Sequence, residues 1–502
     1  MISKPMIRIF HKISFSQYVV IIMLLLMSFF FPFFFSAYTS PFYPGFHGAD
    51  SAIFMTMGRA VVQGKLLYKE IFDIKGPLIF FINALGQFIY NGRFGTFLVQ
   101  VMFMTGTVLG MYKTARLFIS RMKSVAAVFL SLIVMTATYE RGNLTEEYCL
   151  TFIFPSLYCA CRYWKEGKKF HPSIYSLIYG LSMGLLLWTR INNGATVMAI
   201  TFYIYLTIIF TGNMKLFVKN LLFFLIGLLL ISVPIIVLFW MQGSLKEMFY
   251  GTFTFLFSYA QAGVLARPAW KWNMALYNVS PAVGFLIVTL IYSRYMNRNL
   301  GKMLGFAILI TTGSLLVGMN YPHYYMILTP LFLVALSMTL EIISKKQPGR
   351  KKSAIANIFA LTGIALSVYQ NFSPVKAYMI RMYYDKTKPI YLGSVKDYLE
   401  LAEMIPMEDQ DSVWGYNINP AWYYVADILP CFKYFINQEQ HLLIDPQMKQ
   451  EIVVMLSEHP PKWIAKNSSD EVPFIELRDL LEQNYTLVAD LSLIRLYHRI
   501  GE

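Results

Sequence analysis

The stretch of the sequence that decides the fold is Asn220–Met241, N-L-L-F-F-L-I-G-L-L-L-I-S-V-P-I-I-V-L-F-W-M, in which no side chain is charged. A helix of this length and polarity spans the hydrocarbon core of a bilayer. The whole chain has the same character, because 56% of its 502 residues are hydrophobic, 14% are charged and the mean hydropathy is +0.49. Soluble domains carry about 25% charged residues. We therefore predict a polytopic α-helical membrane protein and exclude a soluble enzyme.

Apolar runs of similar length recur on both sides of this stretch. Together they predict about eleven spans: 16–37, 94–112, 124–138, 147–164, 173–188, 194–211, 220–241, 275–292, 303–319, 323–341 and 354–370. The first run follows three basic residues, as a signal peptide does, but it is longer than a signal-peptide apolar region. We predict that it is retained as a span.

The positions of the basic residues predict the orientation. Of the 43 Lys and Arg, 21 lie in the segments that face one side of these spans: 1–15, 113–123, 162–170, 212–219, 293–302 and 342–353. Cytoplasmic loops collect Lys and Arg, so the net charge of +15 reflects membrane topology and no nucleic-acid partner is expected. The N-terminus is then inside and the C-terminus outside. A crossing at 77–90 would invert every later basic cluster, so we predict an interfacial helix there.

Two large segments then face the extracytoplasmic side. One is the loop 38–93, which belongs to a transmembrane catalytic domain of residues 1–370, and the other is a soluble α/β domain of residues 371–502. Short apolar runs in this tail predict strands at Ser412–Tyr416, Lys433–Ile436, Lys462–Lys466 and Tyr485–Leu496. Between them, helices are predicted at Pro420–Leu429, Pro446–Ser457 and Phe474–Gln483.

Acidic residues gather in the outer loops rather than in the spans. These loops contain Asp50, Glu70, Asp73, Glu140, Glu146, Glu147 and Glu247. Apart from Glu147, Arg162 and Glu341 at span ends, no Asp, Glu, Lys or Arg lies inside an assigned span, whereas an ion-coupled transporter usually keeps an ionisable group near the midplane. The pattern favours chemistry at the outer face over transport.

Two outer loops resemble a known group of enzymes. The stretch Gly48–Leu78 contains an Asp soon after the first span, a G-x-x-x-Y segment and the D-x-K-G-P motif of Asp73–Pro77. Together with E-R-G-N-L-T-E-E-Y (Glu140–Tyr148), it resembles the GT-C glycosyltransferases, especially bacterial relatives of protein O-mannosyltransferases and lipid A aminoarabinose transferases. Two departures are Asp50-Ser51, where many members have Asp-Glu, and Lys75-Gly76-Pro77, where many have Lys-Pro-Pro.

The resemblance implies an inverting hexosyl- or pentosyltransferase that takes its sugar from a polyprenyl phosphate. Asp50 would act as the general base on an envelope glycan, lipid-linked polymer or protein acceptor. The implied phosphate-binding cations are Lys75, Arg190 and Arg267. A second acidic site is assigned to Glu146, Glu147 and Asp73, and substrate contacts to His323 and Tyr68. Whether the site binds a divalent metal ion is left open, since Asp50 with Glu146 or Glu147 could bind one if the fold brings them together. The aromatic run 249–259 is expected at the interface, beside the lipid carrier.

Structural roles compete with these assignments. Asp50 is also a favourable N-cap for a helix that begins at Ser51. Lys75 and Pro77 also suit a helix start, the acidic pair 146–147 suits a helix N-terminus, and Arg190 and His323 suit interfacial anchors.

Two other functions stay open. One is an envelope polysaccharide polymerase or ligase that uses a diphosphate-linked donor, and the other is a glycolipid flippase or transporter. A glycan on the sequon at Asn143 would crowd the second acidic loop, so a bacterial plasma membrane is the expected location.

Overall fold

The structure is a computed structural model that describes residues 15–44, 48–265, 268–317, 320–345, 350–387, 391–468, 472, 474–491 and 494–501. The helices of the first half are α1 (Phe15–Phe35), α2 (Asp50–Val62), α3 (Pro77–Ile89), α4 (Arg93–Ala115), α5 (Arg121–Met135), α6 (Thr145–Lys165), α7 (Ser173–Arg190), α8 (Ala195–Phe210) and α9 (Met214–Met241). They are followed by α10 (Leu245–Phe249), a π-helical turn (Tyr250–Thr254), α11 (Phe255–Leu265), α12 (Ala269–Val279), α13 (Pro281–Tyr295), α14 (Arg298–Leu315), a 3₁₀ turn (Pro322–Leu328), α15 (Thr329–Ser344) and α16 (Arg350–Thr387).

Each predicted span coincides with one or more of these helices. Eight helical stretches among the described residues are long and apolar enough to cross a membrane: Ser16–Phe35, Arg93–Ala115, Arg121–Thr138, Ser173–Phe210, Met214–Met241, Ala269–Tyr295, Pro322–Ser344 and Ala354–Thr387. The stretch Ser173–Phe210 contains two predicted spans, which meet at the 3₁₀ turn Ile191–Gly194. Helices α6 and α14 fall short because charged residues near their ends lower their hydropathy. The polytopic helical class is confirmed, while eleven crossings and the orientation stay predictions.

The predicted interfacial helix 77–90 forms as α3. Its 13 residues extend for about 20 Å, less than the roughly 30 Å of a hydrocarbon core. Pro77 begins it in the first turn, where its missing N–H costs no hydrogen bond. It packs on α2 so closely that a Cβ at Gly58 would lie 2.7 Å from the Ala84 backbone nitrogen. This length agrees with a helix that does not cross.

Close helix contacts hold the membrane part together. Helices α7 and α9 meet through Gly180 and Gly227, where a Cβ would lie 2.0 Å from the Phe224 carbonyl oxygen and 2.3 Å from that of Leu177. Small residues allow backbones to approach in lipid, where apolar burial drives helix association weakly.

The tail begins with α17 (Tyr391–Glu403) and carries β1 (Val413–Tyr416), α18 (Ala421–Val425), α19 (Gln438–Leu442), α20 (Pro446–Glu458), β2 (Trp463–Asn467), α21 (Ile475–Asn484), β3 (Tyr485–Asp490) and β4 (Ile494–Arg499). Within the described residues these strands form one sheet in the order β1-β2-β4-β3. Strand β1 is parallel to β2, and the other two pairs are antiparallel. The expected small α/β layer therefore forms.

Two details of the predicted tail are wrong. The run 485–496 is not one strand but the hairpin β3–β4, because the chain reverses after Asp490. The run 433–436 is not a strand, although residues 434–436 are buried. Its Phe435 and Ile436 are apolar because they pack into the core of the tail. In addition, α16 continues through residue 370 to Thr387, past the expected domain boundary.

Arg59, on α2, connects the first outer loop to the tail. Its side chain is buried and its guanidinium donates to the carbonyl oxygens of Tyr423 (2.7 Å) and Ile428 (3.1 Å). It also pairs with Asp427, whose side chain is 67% exposed. A buried cation with these acceptors fixes the position of the tail over the loop.

We expect Arg59→Met to release the tail. The buried carbonyl oxygens of Tyr423 and Ile428 would lose a charged donor, which costs about 3 kcal/mol, a roughly 100-fold shift in docking. Limited proteolysis of the purified protein should then cut the tail much faster. Asp427→Ala is the control, because the Asp427 carboxylate is largely exposed and Arg59 keeps its two buried carbonyl acceptors. Equal cleavage rates for wild type and Arg59→Met would contradict this role.

Candidate active site

A cavity of about 430 Å³ lies where the outer loops, the ends of several helices and the tail meet. Its walls include residues of every segment that the charge pattern assigns to the outer side. The polar residues in the wall are Tyr38, Asp50, Asp73, Lys75, Glu140, Arg141, Thr189, Arg190, Thr252, Tyr259, Tyr321, His323, Tyr324, Arg381, Asn437, Gln440 and His441. The fold thus gathers residues that are about 400 positions apart in the sequence, such as Tyr38 and His441, into one polar site.

Asp50 lies at the entrance to α2 and faces the cavity. It is the first helical residue, and Ala49 occupies the N-cap position, so the Asp50 carboxylate is not the cap that the sequence allowed. One carboxylate oxygen is 3.9 Å from the Lys75 ammonium, and the other is 3.8 Å from His323 Nε2. Burial raises the pKa of Asp50, but the charges of Lys75, His323 and Arg190 lower it, and the net shift is downward. Asp50 is therefore ionised at neutral pH.

Lys75 is held at this position by its own loop. Asp73, which is buried, lies 3.4 Å from the ammonium, and the Tyr68 hydroxyl donates to the Lys75 carbonyl oxygen at 2.6 Å. Burial lowers the pKa of Lys75, but the charges of Asp50 and Asp73 raise it by more, so the net shift of the pKa is upward. Tyr68 is itself buried and braces the loop from behind, where Thr252 donates to its hydroxyl at 3.4 Å. The structure thus places Asp73 beside Lys75. Tyr68 lies outside the cavity wall.

Gly76 explains one departure from the family pattern. A Cβ at this position would lie 2.2 Å from the Trp188 carbonyl oxygen, and the Gly76 N–H donates to the Thr189 carbonyl oxygen at 3.2 Å. Only glycine permits this approach. The contact holds Lys75 near the end of α7, which carries Arg190.

Arg190 pairs with Glu146. Their nearest atoms, Arg190 Nη1 and Glu146 Oε1, are 2.6 Å apart, and the Glu146 side chain is fully buried. Thr145 donates to the other Glu146 oxygen at 2.8 Å, and the guanidinium lies 3.8 Å from the centre of the Tyr324 ring. Arg190 lines the cavity, whereas Glu146 lies behind it and orients the guanidinium.

Glu147 has a structural environment. It accepts hydrogen bonds from the Tyr139 hydroxyl at 2.6 Å, the Gln100 amide at 2.9 Å and the Asn143 backbone N–H at 2.9 Å. These donors close the turn that precedes α6. The two acids that are adjacent in the sequence therefore point to different partners, as successive residues of a helix do.

We expect Glu146 and Arg190 to show a strong coupling energy in a double-mutant cycle of unfolding free energies. Either Glu146→Gln or Arg190→Gln leaves a buried charge without its partner, which costs about 3–5 kcal/mol. The double variant removes both charges and should recover much of that loss. Thermal unfolding of the purified variants in lipid measures the cycle. Losses that simply add would show that the pair does not interact.

His323 connects two carboxylates across the cavity. Its Nδ1 bonds to Glu140, and its Nε2 faces Asp50. The sequence places Glu140 in the second acidic loop but carries no signal that it belongs to the site. Its backbone is in the left-handed region, with φ of +41°, in the turn that aims this loop at the cavity.

The aromatic run 249–259 has two faces. Phe249 and Phe253 pack on the Trp188 ring at 6.1 and 5.7 Å, so part of the run is core. Thr252, Leu256 and Tyr259 line the cavity from the other side. The π-helical turn within this run is a feature often found at functional sites.

Two assignments stay untested predictions, the phosphate-binding role of Arg267 and the metal ion. Arg267 lies outside the described residues. Among the described residues, no three His, Cys, Asp or Glu side chains are close enough together to hold a metal ion. Of the suggested metal ligands, Glu146 pairs with Arg190 and Glu147 accepts a hydrogen bond from Tyr139, and metal binding stays a prediction.

Comparisons with known proteins bear on the fold. Residues 74–240 match the family described as dolichyl-phosphate-mannose-protein mannosyltransferase. ArnT from Cupriavidus metallidurans bound to undecaprenyl phosphate matches 97% of this chain and 99% of its own, with a TM-score of 0.58 at 10% identity. Its apo form matches 96% and 98%, with a TM-score of 0.54 at 10% identity.

A third structure extends the comparison to the archaea. The apo oligosaccharyltransferase of Archaeoglobus fulgidus matches 91% of this chain and 70% of its own, with a TM-score of 0.55 at 12% identity. No curated protein sequence matches significantly. At these identities the structures show the fold. The resemblance predicted from the two loops is confirmed: the chain has the GT-C glycosyltransferase fold, with the mannosyltransferase family pattern over residues 74–240.

Proposed function

We propose that this protein is an inverting glycosyltransferase that moves a sugar from a polyprenyl monophosphate to a hydroxyl group of a cell-envelope acceptor. The observation that carries the proposal is the meeting of an ionised carboxylate, Asp50, with the cations Lys75 and Arg190 in one cavity. The GT-C fold and the undecaprenyl phosphate bound to ArnT support a lipid-linked donor. The site is proposed to face the outside of a bacterial plasma membrane.

The chemistry follows from these charges. The acceptor hydroxyl gives its proton to Asp50, and its oxygen forms a bond to the anomeric carbon. On the opposite face, the bond from that carbon to the phosphate oxygen breaks, and the electron pair stays on the phosphate. Lys75 and Arg190 stabilise the charge that develops there. Attack on one face and departure from the other invert the anomeric configuration.

His323 and Glu140 have a positioning role in this scheme. Glu140 fixes the imidazole so that Nε2 lies 3.8 Å from Asp50, which is longer than a hydrogen bond. An acceptor hydroxyl between the two groups would contact both. The pair thus orients the acceptor oxygen toward the base.

The carrier chain and the tail complete the proposal. Apolar side chains of Leu187, Ile191 and Leu256 form a wall beside the two cations, where the first isoprene units would lie. The tail covers the cavity from outside through residues 437–441. We propose that the part of the tail beyond these cavity-lining residues selects the acceptor. The helix α16 crosses residue 372 without a break, so removal of the tail is best made after Thr387.

The test uses purified protein in lipid with a panel of polyprenyl-monophosphate hexoses and pentoses, and it measures release of the carrier phosphate. Turnover with one donor supports the transferase and identifies the sugar. Turnover only with a diphosphate-linked donor would favour a polymerase or ligase. Movement of intact glycolipid between leaflets without release would favour a flippase. Repeating the assay with EDTA and added Mg²⁺ or Mn²⁺ tests metal dependence.

A further inference from the structure

Residues 433–445 of the tail, here named the strap, are fixed to the membrane part at both ends. At the first end, the Phe72 N–H donates to the Lys433 carbonyl oxygen at 3.1 Å, and the Phe72 and Tyr434 rings pack at 5.3 Å. At the other end, the Tyr250 hydroxyl donates to the Asp445 carboxylate. The short helix α19 between these contacts is therefore held against the cavity.

The strap contributes three neutral polar side chains to the cavity wall: Asn437, Gln440 and His441. The Gln440 amide lies 3.5 Å from the hydroxyl of Tyr259, a residue of α11 that lines the same cavity. The His441 ring is 3% exposed and packs at 5.1 Å against Phe255. Burial, followed by the charge of Lys75, lowers the pKa of His441 to about 4, so the ring is neutral at physiological pH.

The two walls of the cavity thus differ in charge. The wall from the membrane part carries Lys75 and Arg190, which suit a phosphate. The wall from the strap carries amide and imidazole groups, each of which both donates and accepts hydrogen bonds. Together with the rings of Tyr259 and Tyr324, these groups match the hydroxyls and apolar faces of a neutral sugar better than they match an anion.

We propose that the strap, through Gln440 and His441, reads the hydroxyl groups of the sugar on the lipid-linked donor. The inference rests on the proposed function, because it takes the phosphate to lie at Lys75. His441 and Lys75 line the same cavity. A sugar attached to the phosphate would then project its ring toward the strap. The tail would set the sugar specificity of a site whose catalytic groups all belong to the membrane part.

The test measures the affinities of the purified protein in lipid nanodiscs for polyprenyl phosphate and for the polyprenyl-phosphate sugar that it turns over. Their ratio gives the contribution of the sugar alone. We expect the sugar to strengthen binding at least 10-fold in the wild type. In Gln440→Ala and His441→Ala this gain should fall to about 2-fold or less, because the sugar hydroxyls lose their partners. Affinity for the phosphate without a sugar should not change.

The control is Leu443→Ala, since Leu443 lies on the strap but is 88% exposed. An unchanged sugar gain in both strap variants would overturn the inference, and so would an equal loss of binding to the phosphate without a sugar. An unchanged donor gain with a lost acceptor affinity would also overturn it, because the strap would then read the acceptor. Failure of the proposed function looks different: the wild type would bind no polyprenyl phosphate, with or without a sugar.

Discussion

Asp50→Asn is expected to lower the rate of sugar transfer by about 10³-fold, since a positioned general base contributes roughly 10²–10⁴. The amide keeps the size of the carboxylate but cannot take the acceptor proton. Donor affinity should change little, because the base acts on the acceptor. The Asp50 carboxylate is not the cap of α2, so the thermal stability of the variant should stay close to that of the wild type.

Glu70→Gln is the matched control for this substitution. Glu70 is an exposed acid of the same outer loop and lies outside the cavity wall. The Glu70→Gln variant should transfer sugar at nearly the wild-type rate. If Asp50→Asn also keeps the wild-type rate while the donor is turned over, Asp50 is not the base.

Lys75→Gln is expected to lower kcat/KM by about 10²–10³-fold, the range seen when one donor to a developing oxyanion is removed. Asp73 would lose its buried partner, which threatens folding. The double variant Lys75→Gln/Asp73→Asn removes both charges and should fold while it stays inactive. Lys69→Gln, an exposed change in the same loop, is the control. An active, folded double variant would exclude Lys75 from the reaction.

The pH dependence of any residual activity tests the same charge. Lys75 lowers the pKa of Asp50, so its removal moves that pKa upward. Activity needs the ionised base and is lost as the pH falls through this pKa. The acid limb of the kcat/KM profile should therefore lie at higher pH in Lys75→Gln than in the wild type. An unmoved acid limb would show that Asp50 does not control it.

The sequence predicted features that depend on composition and on neighbouring residues. The length of each apolar run specified a helix, because a bilayer leaves the backbone no other partner. The mostly apolar stretch from Pro77 predicted a helix, and the basic clusters that a crossing would invert predicted that it lies at the interface. The motif at Asp73–Pro77 and the acidic loop identified the parts of the chain that carry the site.

Other features depended on contacts between distant segments. Glu146 and Glu147 look equivalent in the sequence, yet one pairs with Arg190 and the other closes a turn, since neighbouring helix positions point in different directions. The strap gave no local signal, because an amide or imidazole in a polar tail suits a solvated surface equally well.

The sequence by itself therefore determined that this is a membrane protein of many helices, with acidic loops and a small α/β tail on one side. Only the tertiary structure decided that Glu140 meets His323, that Gly76 contacts the end of α7, and that the tail closes the cavity. The physical reason is that hydropathy acts on each segment alone. The geometry of a site is set by hydrogen bonds and packing between segments that are hundreds of residues apart.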